Sequence, residues 1–389
     1  MAPKVTVSAS LHPDPPAPAT RLGRYRVLSP LAGVRVSPLA LGAMNIGNQW
    51  EQFGMGAMDK ESSFKLLDAY YEAGGNFIDT ANNYQDETSE MFIGEWAESR
   101  GIRDQLVIAT KYTTVYKRGD AIKIKANYSG NNAKSLKVSI EASLKKLRTH
   151  YIDILYVHWW DFNTSVEEVM NQLHHLVASG QVLYLGISDA PAWVVATANQ
   201  YARDHGKTPF VIYQGAWNVM DRSFERDIIP MARAHGLALA PWNVLVAGRL
   251  RSDAEEKRRI ESGEGGRTIN RDWLRDENEK KMSAALEKVA KEVGTEHITA
   301  VAIAYLMHKT THVFPIVGGR KVEHLMANID ALRISLSDEQ IEYIESILPF
   351  DPGFPNYFIG DGTYPNRLML SSAVEDRWPL KQPIRPSAQ

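Results

Sequence analysis

The chain has 389 residues, 44 basic and 46 acidic, and a formal net charge of −2. This near-neutral balance argues against an electrostatic nucleic-acid binder. The absence of cysteine excludes disulfides, thiolate zinc sites, iron–sulfur clusters and cysteine nucleophiles at once. No apolar run approaches the roughly 18 residues of a membrane helix, and the chain reads as cytoplasmic. At about 150 residues per domain the length allows two or three domains, but an α/β barrel can hold it as one unit.

Residues 1–21 form a lead carrying Pro3, Pro13, Pro15, Pro16 and Pro18. It lacks the apolar core of a signal peptide and reads as a disordered or surface-hugging segment. Tyr25–Leu28 and Val34–Val36 flank a turn and read as a hairpin. Candidate strands follow at Leu39–Met44, Asn76–Asp79, Leu106–Lys111, Ile152–His158, Val182–Ser188, Val211–Gln214, Ala238–Trp242 and Val313–Val317. Their apolar runs are mostly continuous, as in strands covered on both faces. Amphipathic patterns separate them, such as Lys60–Ala73 ending at Gly74-Gly75 and Ser165–Ser179 ending at Gly180.

Repeated strand–helix alternation means parallel pairing with right-handed crossovers. Eight such units favour a closed (β/α)8 TIM barrel, here over residues 22–348, with an N-terminal β-hairpin. Gly54-Met55-Gly56 lies in a loop and reads as a flexible turn. The charged stretch 249–294, between strands seven and eight, is too long for a simple connection. It reads either as a solvated helical excursion or as a flap over the barrel mouth. The tail, 349–389, opens with Pro352, Phe354, Pro355, Tyr357 and Phe358, which suit packing at the barrel top or a subunit contact.

In a barrel the working residues stand at the C-terminal strand ends. Strand two ends at Asp79 with Tyr84 in the following loop, strand three ends at Lys111, and strand four at His158. An acid, a phenol, an amine and an imidazole thus share one mouth. The set fits carbonyl reduction, in which negative charge builds on oxygen and must be protonated. A free phenol has a pKa of about 10, and an adjacent ammonium lowers it. Tyr84 is then the general acid, Lys111 its tuner, Asp79 the orienter of Lys111, and His158 a donor to the carbonyl oxygen. Each residue alone also has an ordinary reading: a helix cap, a surface or Schiff-base lysine, a structural histidine, a packed tyrosine. His308 and His312 lack the accompanying carboxylate of a zinc motif, so no metal site is expected.

The segments Asn76-Phe-Ile-Asp-Thr-Ala-Asn-Asn-Tyr84, Ala109-Thr-Lys111, Tyr156-Val-His158 and Tyr184-Leu-Gly-Ile-Ser-Asp189 resemble the aldo-keto reductase superfamily. The resemblance runs from about Leu22 to Leu348. It implies a (β/α)8 barrel with NADPH extended across its mouth and a catalytic tetrad of Asp79, Tyr84, Lys111 and His158. It further implies cofactor contacts from Met44 and Asn45, from Ser188, Asp189 and Gln214 at the nicotinamide amide, and from Trp242 stacked under the ring. Asparagine is commoner where Asp189 stands, and tyrosine where Trp242 stands. Asn243, Leu245, Gly248 and Leu250 match the loop that crosses the pyrophosphate. Gly318, Arg320, His324 and Asn328 match the adenosine end, where Ala327 replaces a common glutamate.

Gly318-Gly319 opening a helix makes a ready phosphate site, and Arg320 and Lys321 add the positive charge a 2′-phosphate needs. The expected cofactor is therefore NADP(H) rather than NAD(H). Within the superfamily, Pro315-Ile-Val-Gly-Gly-Arg-Lys-Val-Glu-His324, the insertion and the tail look like the fungal aryl-alcohol dehydrogenase group. That implies aromatic aldehydes and alcohols, such as methoxylated benzaldehydes from lignin breakdown. Trp159, Trp160 and Phe162, with Trp50 and Phe53 of the loop after strand one, offer aromatic walls or simply pack. The alternatives are a norsolorinic acid reductase-like ketone reductase, a Schiff-base aldolase using Lys111, and a non-catalytic NADPH-binding β-subunit-like protein. The expected partner is a small aryl molecule.

Overall fold

The computed structural model describes residues 14–268, 272–364, 366–376 and 378–386. The first part of the proline-rich lead, residues 1–13, lies outside the described residues. Residues 14–19 are exposed, and the lead is tied to the body at Thr20, whose hydroxyl donates to the Ala73 carbonyl at 2.7 Å, and at Leu22, which is fully buried.

A hairpin comes first, β1 (Arg26–Ser29) antiparallel to β2 (Ala32–Val36). Eight further strands form one sheet: β3 (Ala40–Gly42), β4 (Phe77–Asp79), β5 (Val107–Tyr112), β6 (Ile152–Val157), β7 (Val182–Ser188), β8 (Phe210–Ala216), β9 (Ala238–Trp242) and β10 (Ile316–Val317). Their order is β10-β3-β4-β5-β6-β7-β8-β9, and every neighbouring pair is parallel. A parallel bridge between Leu239 and Val313 joins the two ends, so the sheet closes as a barrel. Strand eight is shorter than the expected Val313–Val317. Pro315 has no N–H to extend the ladder, although its carbonyl still accepts from Ala40 at 3.0 Å.

Two apolar clusters hold the barrel. The larger lies between sheet and helices. The smaller fills the barrel and joins Leu28, Ala32 and Val36 of the hairpin to Phe77, Ala109, Ile154, Ile212 and Phe314. The hairpin therefore plugs the end where the strands begin, and the mouth at their C-terminal ends stays open. Gly186 makes room inside: a Cβ there would fall 2.5 Å from the Tyr156 ring, which lies beneath Lys111. Helices are started by side-chain caps, as Asp59 accepting from Ser62 N–H and Ser165 from Glu168 N–H, each worth about 0.5–2 kcal/mol.

The stretch 249–294 divides into parts. Helix Glu277–Val293 buries Met282, Leu286 and Val289 against helices Ile298–Lys309 and Asp338–Ile347, so it belongs to the barrel jacket and is neither a solvated excursion nor a flap. Helix Asp253–Ser262 is anchored by Glu256, which accepts from Arg251 and Arg275. The residues after it cross to the loop behind β3, where Thr268 N–H donates to the Gly54 carbonyl at 3.3 Å. In the tail, Phe350 packs under Arg222 and Arg226, whereas Phe354, Tyr357 and Phe358 face outward, which goes against packing at the barrel top and is compatible with a subunit contact. No helix among the described residues is long and apolar enough to cross a membrane.

Candidate active site

Strand register brings the four chemical groups to one rim. Asp79 ends β4 and pairs with Ala109, so Lys111 extends two residues beyond it on β5. Lys111 in turn pairs with Tyr156, which leaves His158 just past the end of β6.

The Lys111 ammonium has three protons and meets three acceptors. Nζ lies 2.6 Å from Asp79 Oδ1, 2.7 Å from the Thr80 carbonyl and 3.3 Å from the Tyr84 hydroxyl. The second oxygen of Asp79 accepts from Gln214 Nε2 at 2.8 Å. Lys111 is fully buried. Burial alone would drive its pKa down, but the Asp79 charge, with Tyr84, outweighs burial and the net shift is upward. The ammonium therefore stays charged.

Tyr84 behaves differently from expectation. Burial pushes its phenol above the usual value, and the opposing charge of Lys111 does not fully offset it. The phenol is thus a proton holder at neutral pH. His158 is pushed well below the usual histidine range by burial and by the Lys111 charge, so its ring is neutral. The Tyr84 ring stands edge-on to His158 at 5.9 Å between centroids and to Trp50 at 6.2 Å.

Thr114 was not anticipated from the sequence. Its hydroxyl lies 3.2 Å from His158 Nδ1 and accepts from Trp159 Nε1 at 2.9 Å. An indole N–H only donates, so the threonine proton remains available to Nδ1. That hydrogen bond leaves Nε2 as the N–H of the neutral imidazole.

The expected cofactor residues stand on the strand ends and loops around these four groups. Ser188 is buried at the end of β7, and Trp242, 38% exposed, donates from Nε1 to Asp189 Oδ1 at 3.1 Å. Asn243, Leu245, Gly248 and Leu250 form a tight turn in which Asn243 Oδ1 accepts from Ala247 N–H at 2.8 Å. Non-glycine residues with left-handed backbone gather at this rim, among them Asp189, Asn243, Val246 and Ala247, as strained residues do at working sites. After β3, Met44 accepts from Gln85 through its carbonyl, and Asn45 Oδ1 accepts from Arg267 at 2.8 Å. Gly318, Arg320, Lys321, His324 and Asn328 lead into and along helix Val322–Ile329. Arg320 lies against Gly56, where a Cβ would fall 2.0 Å from its Nη1. Lys321 does not offer a free charge, because Glu264 binds it at 2.6 Å.

A model of the aldo/keto reductase family matches residues 38–349. The chain belongs to that family. The reductase is 61% identical over 376 residues to the aryl-alcohol dehydrogenase [NADP(+)] of Phanerodontia chrysosporium, covering 95% of this chain and 98% of that one. It is 60% identical to the putative aryl-alcohol dehydrogenase AAD14 of Saccharomyces cerevisiae, over 89% of this chain and 92% of that one. It is 56% identical to the norsolorinic acid reductase stcV of Emericella nidulans, over 89% and 87% respectively.

Two features of the reductase were not visible in its sequence. Gln214 donates to Asp79, so it also holds the tetrad. Arg267 is partly buried and donates to Asn45, and no carboxylate among the described residues pairs with it. Burial, then the like charges of Arg320 and Arg249, lower its pKa. Three guanidiniums converging without a carboxylate for Arg267 suit a polyanionic ligand. A dinucleotide phosphate therefore fits the residues present. No signal in the mixed-charge insertion distinguished Arg267 from its solvated neighbours. Of the residues expected to form aromatic walls, Trp50 lies edge-on to Tyr84, Trp159 donates to the Thr114 hydroxyl that also meets His158, Trp160 is buried in the core, and Phe162 faces solvent.

Proposed function

We propose that the chain is an NADP(H)-dependent reductase that interconverts aromatic aldehydes and aryl alcohols. The observation that carries this reading is the hydrogen-bonded chain from Gln214 through Asp79 and Lys111 to the Tyr84 hydroxyl, beside a neutral His158 and aromatic walls.

The phosphates of NADP(H) would be held by Arg249, Arg267 and Arg320, its nicotinamide end by Ser188, Asp189 and Trp242. Bound there, the cofactor supplies or accepts the hydride. The protein's own part is proton transfer and orientation. His158 Nε2–H donates to the carbonyl oxygen and holds it beside Tyr84. Tyr84 gives its proton to that oxygen as negative charge develops, and Lys111 stabilises the phenolate left behind. Asp79 keeps the ammonium aimed at Tyr84. In the alcohol-oxidising direction the same phenolate takes the proton back.

The Schiff-base aldolase reading fares poorly, because an amine nucleophile needs a lowered pKa and that of Lys111 is raised. Reduction of a polycyclic ketone is the second reading, favoured by the norsolorinic acid reductase relative. A panel of aryl aldehydes, alkyl aldehydes and aryl ketones, followed by NADPH absorbance and repeated with NADH, separates these. Turnover of aryl aldehydes with clear preference for NADPH is expected. Turnover of ketones alone, or equal use of NADH, overturns the primary reading.

A further inference from the structure

The loop behind β3 carries Trp50 to the edge of the Tyr84 ring, at 76° between ring planes. Two consecutive side chains just past Tyr84 fasten that loop. Gln85 is fully buried; it accepts from the Trp50 backbone N–H at 2.9 Å and donates to the Met44 carbonyl at 2.9 Å. Asp86 accepts from the Trp50 indole N–H at 2.9 Å. Arg118, from the loop after β5, grips the same carboxylate, with Nη2 2.7 Å and 3.0 Å from its oxygens and Nε at 3.2 Å. Its guanidinium also lies 4.6 Å from the centre of the Phe53 ring. Gln85, Asp86 and Glu87 all adopt left-handed backbone, with φ of 52°, 47° and 79°. Three such non-glycine residues in succession are held only where the surroundings over-determine them. The strained turn thus joins the proton donor to the anchor of the loop.

An indole is amphipathic: its ring seeks apolar contact and its N–H seeks an acceptor. A carboxylate placed at that N–H fixes the ring in one orientation. We infer that Asp86 is a specificity-determining positioning residue: through Trp50 it sets an aromatic wall beside the Tyr84 hydroxyl, and this wall selects aryl over alkyl carbonyl compounds. Asp86 itself touches neither substrate nor cofactor. Arg118 holds the carboxylate in place from its far side. An aryl ring gains edge or offset contact with the held indole that an alkyl chain gains less of. The inference rests on the aryl-aldehyde reading above.

The test compares wild type, Asp86→Ala, Asp86→Asn and Trp50→Phe with a methoxybenzaldehyde and a straight-chain aldehyde of similar size. NADPH affinity is read separately from quenching of tryptophan fluorescence. Asp86→Ala is expected to raise KM for the aryl aldehyde about tenfold, with kcat, NADPH affinity and the alkyl KM within about twofold. Asp86→Asn keeps an acceptor for the indole and should stay near wild type. Trp50→Phe keeps a ring but loses the anchored N–H, so it should give the same aryl-only rise. Adding Asp86→Ala to Trp50→Phe should change nothing further. If Asp86→Ala does not fold, Trp50→Phe carries the same prediction. A parallel rise in both KM values, no rise, or additive effects in the double variant overturns the role of Asp86. A wild type that reduces alkyl but not aryl aldehydes overturns the parent reading, and the selecting wall with it.

Discussion

Replacing Asp79 with asparagine should leave a buried ammonium without its counter-charge, and the consequences can be worked from the contacts. Lys111 is fully buried, and its 2.6 Å bond to Asp79 is its only ion pair among the described residues. Breaking a buried pair from one side costs about 3–5 kcal/mol. At about 2.1 cal/mol/K of unfolding entropy per residue, over the roughly 330 residues of the barrel, that lowers the melting temperature by roughly 4–7 °C. The pH dependence also changes sign. In the wild type the folded pKa of Lys111 is raised, so its stabilisation is fully present below the unfolded value of about 10.4 and is lost only as pH rises through the folded one. In Asp79→Asn burial acts without the opposing charge and the folded pKa falls below the unfolded one. Stability should then be lowest near neutral pH and rise toward pH ~10, because the folded state releases the proton first. Thermal melts of both proteins across this range provide the assay. A variant melting within about 1 °C of wild type, with the same pH slope, would refute the claim that Asp79 holds Lys111 charged.

Four further outcomes are expected. Tyr84→Phe should bind NADPH normally but lose about 10²–10⁴-fold in aldehyde turnover. With wild type, alcohol oxidation should climb with pH toward the raised phenol pKa while aldehyde reduction stays level at neutral pH; identical profiles in the two directions would argue against Tyr84 as the proton carrier. Thr114→Val should lower kcat/KM about tenfold by freeing the His158 tautomer, and Thr114→Ser should restore it; a fully active valine variant removes Thr114 from the site. Arg267→Met should weaken NADPH binding about tenfold and flatten its salt dependence, without lowering the melting point of the unliganded protein, since no carboxylate loses its partner. A variant with unchanged affinity shows that Arg267 does not face the phosphates.

The legible and illegible parts of this molecule differ by the range of the interactions behind them. The barrel was readable because each strand declares itself by a local apolar run, and alternation with helices leaves few topologies. Strand eight was overextended because Pro315 breaks a ladder without breaking the run. The clustering of Asp79, Lys111 and His158 was readable because the three sit at successive strand ends, where register alone places them. What escaped were groups defined by a partner far along the chain. Thr114 matters only because Trp159 and His158 converge on its hydroxyl, 45 and 44 residues away. Gln214 was expected at the cofactor amide, but its bond to Asp79, 135 residues away, was not, and Arg267 reaches Asn45 across 222.

The Tyr84 shift escaped for a related reason. The sequence supplies the neighbouring ammonium, which pulls the pKa down, but not the depth of burial, which pushes it up, and in the folded chain the second prevails. Lys111 shows the reverse balance in the same few ångströms, because it has a carboxylate as well as burial. Two groups in one environment are therefore shifted by different balances: Tyr84 keeps its proton and Lys111 its charge, the two states that the proposed proton transfer requires.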